Sequence, residues 1–246
     1  MINTIFGHRS IRKFRNEGID PEMLNTILEA GSRASNTGNM QVYSIIATTD
    51  EGLKQELHQL HFKQQMVLDA PVHLTFCVDI ERFNVWCKLR NANPGYDNFL
   101  WFCNATIDAV LASQNCALAA ESFGLGICYL GTTLYNADKI IELLKIPKGV
   151  FPITAVVLGY PEEIPDLTDR LPIQAIVHNQ VFEPYTETDI NSFYREKENL
   201  PQTHILIQQN GTENLAQIFT DKRYKKNDNE MFSQKLIETI KKQGLM

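Results

Sequence analysis

Arg33-Ala34-Ser35-Asn36-Thr37-Gly38-Asn39-Met40-Gln41 is a run of hydroxyls, amides and one glycine set between two segments of different character. Ahead of it, Met23, Leu24, Ile27, Leu28 and Ala30 recur at helical spacing behind Asp20-Pro21. The aspartate can accept the first free amides of a helix, and the proline has no amide to lose at the first helical position. Behind it, Val42-Tyr43-Ser44-Ile45-Ile46-Ala47 has the β-branched, apolar content of a buried strand. The stretch therefore reads as a helix, a loop rich in hydrogen-bonding groups, and a strand. Taken alone, such a loop is also an ordinary turn capped by its own side chains.

Outward from this unit, Glu51 to Leu60 reads as a helix, Phe62-Lys63-Gln64-Gln65 as a polar link, and Val72 to Val78, after Pro71, as a second strand. Phe99 to Phe123 is the longest periodic segment. Ala105, Ala109, Ala112, Cys116, Ala119, Ala120 and Phe123 keep to spacings of three and four, and a stripe of small residues lets a second helix approach closely. Core packing accounts for the stripe, and a subunit interface fits it as well. Gly124-Leu125-Gly126 ends this helix where left-handed backbone is needed. The short apolar stretch Ile127-Cys128-Tyr129-Leu130 then leads into Gly131-Thr132-Thr133. Ala137 to Leu144 reads as an amphipathic helix and Phe151 to Pro161 as a strand bounded by prolines. After Pro161 the composition shifts to turns, charges and amides, with Ile173 to Val177 as one more short strand. Beyond it lie two or three helices, Asn229 to Gln243 among them. This last region has too small an apolar share to fold alone.

With 246 residues and 43% hydrophobic content the chain can bury a full-sized core. A net charge of −6 and a pI near 5.5 give no general attraction for nucleic acid or an anionic membrane, so any anion site must be local. The beginning of the chain lacks a basic region followed by an apolar stretch, and no apolar run is long enough to span a bilayer. The expectation is a soluble cytoplasmic protein. Cys77, Cys87, Cys103, Cys116 and Cys128 lack ligand spacing and form an odd set, which reads as buried free thiols. His58 and His61 stand three apart on a helix with no third ligand following, so they read as exposed polar residues and no metal is expected. Gly124-Leu125-Gly126 is not followed by the helix and acidic residue of a dinucleotide fingerprint. Ser10, Ser35 and the cysteines have no recognisable base partner for covalent catalysis.

His8-Arg9-Ser10-Ile11-Arg12 places two guanidiniums around a hydroxyl, a good set for a phosphate. By themselves, two arginines near a chain end are solvated charges, and it is their company that gives them meaning. Arg9-Ser10-Ile11-Arg12-Lys13-Phe14, then Ser35-Asn36-Thr37-Gly38-Asn39-Met40-Gln41, then Gly124 to Gly131, then Leu158-Gly159-Tyr160-Pro161, in this order and spacing, resemble the nitroreductase/flavin reductase family. His8 before Arg9, Asp169-Arg170-Leu171-Pro172 before Val177-His178, and the long C-terminal extension make the resemblance closest to the branch of oxygen-insensitive NADPH nitroreductases and NADPH:FMN oxidoreductases.

The resemblance implies an α+β fold, a mixed sheet flanked by helices. A core over residues 1–180 would carry an extension, 181–246, that packs on it or wraps the partner of a homodimer, with FMN at the dimer interface. It implies His8, Arg9, Ser10 and Arg12 as a first flavin-binding segment. Arg12 would meet the phosphate, and Arg9 would place its charge near N1 and O2, where it stabilises the anionic reduced ring. Ser35, Asn36 and Thr37 match a second segment, with Asn39 and Gln41 at its end. Gln64 matches a glutamine at the ring; Tyr129, Gly131 and Thr132 match contacts near the ring and its N5; Arg170 matches a second arginine at the phosphate. Thr168 stands where members of this branch often carry a lysine, which removes one charge from the phosphate site.

The implied activity is hydride transfer from NAD(P)H, NADPH favoured, to nitroaromatics, quinones or free flavin in a ping-pong cycle that needs no dedicated acid or base. Asn199-Leu200-Pro201-Gln202-Thr203-His204 is nearly uncharged where NADPH-specific members place arginines. Arg195, Lys222, Arg223, Lys225 and Lys226 are the remaining candidates for the donor's 2′-phosphate. Reduction of azo compounds or enones is the alternative reaction on the same fold, and a flavin-binding protein without turnover is the alternative outside enzymes.

Overall fold

Asp20 does what its place ahead of Pro21 predicts. Its carboxylate accepts the amides of Glu22 and Met23 at 2.8 and 3.1 Å, and the helix that it caps runs Pro21–Ser32. In the computed structural model, which describes residues 2–246, the chain forms α1 (Ile2–Phe6), α2 (Pro21–Ser32), β1 (Tyr43–Thr48), α3 (Glu51–Leu60), α4 (Met66–Asp69), β2 (Val72–Asp79), α5 (Glu81–Leu89), α6 (Phe99–Ser122), β3 (Gly126–Leu130), α7 (Ala137–Leu143) and β4 (Val150–Gly159). Then come α8 (Glu187–Glu198), α9 (Pro201–Asn210), α10 (Leu215–Gln217), a π-helical turn over Ile218–Arg223 and α11 (Lys226–Lys242). Two compact units result, one of Met1–Leu167 with Gln234–Met246, the other of Thr168–Ser233.

In the first unit the four strands lie in the order β1-β2-β4-β3 and pair antiparallel throughout. β2 is buried at every position and β4 at nearly every one, because both faces of the sheet are covered. Val72, Leu74, Phe76, Ile127, Val156 and Leu158 pack with Ile27 of α2 and with Cys116, Ala117 and Ala120 of α6. On the opposite face Cys128, Leu130, Ala155 and Val157 pack with Leu57 of α3 and with Met66 and Val67 of α4. Burial on two faces is why these strands read as continuous apolar runs rather than as an alternation. The small-residue stripe of α6 is spent inside its own chain. A Cβ at Gly31 of α2 would stand 2.3 Å from Cys116 Sγ, so the two helices touch along it.

The stretch after α1 adds itself to this sheet. Ser10 bridges Ile127 in parallel and Phe14 bridges Pro161 antiparallel, with Ile11 N–H donating to Ile127 O at 2.8 Å and Arg15 N–H to Tyr160 O at 2.9 Å. Ile11 and Phe14 are buried in the second core cluster, and the residues between them face outward. Gly126 makes this possible, since a Cβ there would lie 2.5 to 2.9 Å from side-chain atoms of Ile11. Gly126→Ala is therefore expected to cost about 1–3 kcal/mol through overpacking. It should lower the thermal midpoint by roughly 3–10 °C, read by calorimetry, and an unchanged midpoint would contradict this packing.

Several segments differ from the reading of the sequence. Ile173 to Val177 is not a strand: Ile173–Ala175 is a 3-10 turn closed by Ile176 N–H to Ile173 O at 3.0 Å, and the aliphatic side chains of Ile173, Ile176 and Val177 are exposed. Its β-branched content expresses a local preference that no neighbouring strand takes up. Ile127 to Leu130 is a full edge strand rather than a linking stretch. The second unit is more helical than composition alone suggests. α8 starts at a reciprocal capping box between Thr186 and Asp189, and α9 ends at Gly211 in the left-handed region, φ 60°. No described helix is long and apolar enough to cross a membrane.

Candidate functional site

The first segment is held on the edge of β3. His8 Nδ1 lies 2.6 Å from Glu121 Oε1 at the end of α6, and Glu121 Oε2 is buried with no partner. Arg9 uses one terminal nitrogen to donate to Gly7 O at 2.8 Å, while its Nε is buried and unpartnered. Backbone pairing sets Ser10 beside Ile127. Arg12 is exposed and close enough for its charge to bear on the Cys128 thiol, opposing the rise that burial causes there. Tyr129, next along β3, sets its hydroxyl 3.0 Å from Ser113 Oγ, and burial pushes the phenol up.

The second segment is built on a different part of α6. Thr37 donates from both its backbone N–H and its hydroxyl to Asp108 Oδ1, at 2.9 and 3.2 Å. Asp108 is buried and its Oδ2 has no partner. The loop turns through Gly38, Asn39 and Gln41 at φ of 57°, 55° and 52°, and Gln41 Nε2 donates to Asn39 Oδ1 at 3.3 Å. Asn36 Oδ1 is buried and unpartnered, and Ser35 is exposed. From Asp108 to Glu121 an α-helix rises about 20 Å, so within one chain this loop and His8 are tied to well separated points of α6.

The third group gathers where β3 ends. Gln64 Nε2 donates to Thr132 Oγ1 at 3.1 Å and to His61 O at 3.0 Å. His61 Nδ1 lies 2.8 Å from the same Thr132 hydroxyl. Gly131 opens the 3-10 turn Gly131–Asn136, and a Cβ there would meet nothing within 4 Å, so the backbone can be approached from outside. Arg170 belongs to the second unit, where its guanidinium donates to the carbonyls of Thr168 and Asp169 at 3.2 and 2.9 Å. In the same unit Asp169 pairs with Lys197 at 2.7 Å.

His61 corrects the reading of His58 and His61 as exposed polar residues. It is fully buried, and its Nε2 lies 3.3 Å from Nε2 of the equally buried His73. No group of three metal-ligating side chains occurs among the described residues. Asp108 and Glu121, which anchor Thr37 and His8, were not singled out in the sequence. Asp108 carried a signal, a lone carboxylate three residues after Ala105 and four before Ala112 on the buried stripe. Of the cysteines, all free, only Cys103 is not buried. Burial pushes Cys77 and Cys116 up to about 12, so they are packing residues rather than nucleophiles.

Residues 5–160 match the Nitroreductase family. The chain is 33% identical over 210 residues to the FMN reductase (NADPH) of Bacillus subtilis, covering 80% of this chain and 84% of that one. It is 36% identical over 186 residues to the oxygen-insensitive NADPH nitroreductase of Salmonella typhimurium, covering 76% of each. A crystal structure from Bacteroides fragilis superposes with a TM-score of 0.98 at 48% identity over 99% of both chains. With its sheet, its edge segment and its sequence thus matched, the chain belongs to the nitroreductase family.

Proposed function

We propose that this chain is an FMN-dependent oxidoreductase that takes hydride from NAD(P)H, NADPH preferred, and delivers it to nitroaromatics, quinones or free flavin. The observation that carries the reading is the state of the two arginines on the edge of β3. Arg9 holds a buried N–H with no partner, and Arg12 stands exposed beside it, in a chain whose net charge is −6. An unsatisfied buried donor costs about 1–3 kcal/mol, and a cofactor whose phosphate pairs with Arg12 and whose ring acceptors lie at Arg9 is the ligand class that suits the two groups. The open backbone at Gly131 and the polar edge of Gln64 and Thr132 suit a flat ring bearing its own donors and acceptors. The names of the relatives, an FMN reductase and an NADPH nitroreductase, support both cofactor and donor.

The residues then divide the work. Arg12 holds the phosphate, Arg9 places positive charge at the ring, and Gln64 and Thr132 hold one ring edge. FMN, when bound, supplies the two-electron chemistry, and no side chain has to act as acid or base. We read the assembly as a homodimer. α6 buries its small residues in its own chain but leaves Ile107, Val110 and Leu111 exposed by 56, 44 and 41%.

Initial rates test the reading. With NADPH and a quinone varied together, double-reciprocal plots are expected to be parallel, donor and acceptor using one pocket in turn. Intersecting lines would contradict a ping-pong order. Failure of every acceptor to support NAD(P)H oxidation would leave a flavin-binding protein without turnover.

A further inference from the structure

Gln41, Val42, Tyr43 and Ser44 lead from the Ser35–Gln41 loop into β1, and each is tied to Asp79 or Arg82. Arg82 donates from one terminal nitrogen to the carbonyls of Gln41 and Tyr43, to the second at 3.0 Å. Asp79 N–H donates to Val42 O at 2.9 Å, and Ser44 Oγ donates to Asp79 Oδ2. Asp79 ends β2, and Arg82 lies in the first turn of α5. Asp79 also holds Arg82 in place. Its Oδ1 accepts the Arg82 backbone N–H at 3.0 Å, and its Oδ2 lies 3.9 Å from Arg82 Nε. The direction of every bond to a carbonyl here is fixed, since a guanidinium and a backbone N–H only donate and a carbonyl only accepts.

The loop that ends at Gln41 needs such a hold. Asn39 and Gln41 both have left-handed backbone, at φ of 55° and 52°, and only asparagine is a type that accepts it readily. Backbone in that region persists where the surrounding contacts over-determine it. At the start of the loop, Asp108 takes both the N–H and the hydroxyl of Thr37. Between the two ends, Met40 N–H donates to Thr37 O at 3.0 Å and Gln41 Nε2 to Asn39 Oδ1 at 3.3 Å. Thr37 to Gln41 is thus one folded turn, held by a carboxylate of α6 at its start and a guanidinium of α5 at its end. The Arg82 side chain is 58% exposed, and an exposed arginine is ordinarily a solvated charge. This one has a terminal nitrogen committed to two backbone carbonyls.

We propose that Arg82 is a positioning residue that clamps the end of this loop, so that Thr37 to Gln41 keeps its turn before any ligand arrives. On the flavin reading, on which this second half rests, FMN meets a loop already in place, and binding does not have to order it. Arg82 acts through the Gln41 carbonyl and needs no contact with the cofactor.

Amide hydrogen exchange before FMN is added tests the clamp without reference to any ligand. In Arg82→Ala the Met40 amide is expected to exchange about tenfold faster than in wild type, while amides in the middle of β2 keep their rates. An unchanged Met40 rate, or an equal rise in β2, would overturn the clamp. Arg82→Lys keeps the charge and a nitrogen bearing N–H donors, and should return the Met40 rate toward wild type. In a fluorescence titration Arg82→Ala is expected to bind FMN about tenfold more weakly. At saturating FMN its NADPH oxidation should stay within about twofold of wild type, because the loss lies in holding the cofactor and not in turnover. Unchanged affinity, or turnover that stays low at saturating FMN, would overturn the cofactor half. A protein that takes up no FMN overturns the flavin reading and that half with it, while the Met40 amide still decides the clamp.

Discussion

Replacing Arg12 with alanine is expected to weaken FMN binding about tenfold to a hundredfold while leaving the fold intact. A hydrogen bond between a guanidinium and a phosphate contributes roughly 1.5–3 kcal/mol, and each 1.4 kcal/mol is about a factor of ten. The fold should not notice, because Arg12 is exposed and the edge pairing is made by the backbone of its neighbours. Lys13 is the control. It is exposed too, but its ammonium is engaged by Glu163 Oε2 at 2.9 Å, which raises its pKa, so Lys13→Ala should leave FMN affinity close to wild type. Flavin fluorescence titration with a parallel thermal melt reads both effects. Equal affinities in Arg12→Ala and wild type would remove Arg12 from the phosphate.

The buried imidazole pair makes the folded chain acid-sensitive in a defined window. Above pH 6.5 each ring is neutral in both the folded and the unfolded chain, so its contribution is constant. As pH falls below 6.5 the unfolded chain takes up protons that the folded chain refuses until about pH 4 for His61 and about 3 for His73. Stability is therefore present in full above 6.5 and lost on the way down, by up to about 1.4 kcal/mol per pH unit for each histidine. For His61 alone the loss reaches the order of 3 kcal/mol by pH 4, a large part of a typical 5–15 kcal/mol. Urea unfolding at pH 7, 5.5 and 4.5 should show the slope, and His73→Phe should lose the share due to one ring. The same slope in both proteins would mean that His73 is protonated in the folded state.

How much of this was legible in the sequence follows from what each signal depends on. The cap at Asp20, the helix after it, the strands around Ile45, Phe76 and Val157 and the length of α6 were legible, because capping and periodicity are local. β3 was not, since a few apolar residues fit a strand and a helix turn equally until a partner is known. Nor was α5, which the sequence reading passed over. Its Phe83 faces Tyr96, beyond the helix, with ring centroids 5.4 Å apart, and so draws on a contact from outside it. The arginines and the Ser35–Thr37 loop were legible as types that bind anions and polar rings. That the loop hangs from Asp108 was not, because a contact across 71 positions leaves no trace in spacing. His61 was misjudged for the same reason. Spacing links it to His58, three residues away, but its partner is His73, a polar residue inside a fully buried strand. A buried polar residue asks for a partner, and it could have been flagged without being placed.

The central claim is that this chain holds a flavin which a nicotinamide donor reduces. Its most direct test is anaerobic titration of the purified protein with NADPH and, in parallel, NADH, followed at the absorbance band of oxidised flavin. A yellow protein whose band bleaches with NADPH, and less readily with NADH, is the predicted result. A colourless protein that takes up no FMN, or a yellow one whose band survives both donors, would contradict it.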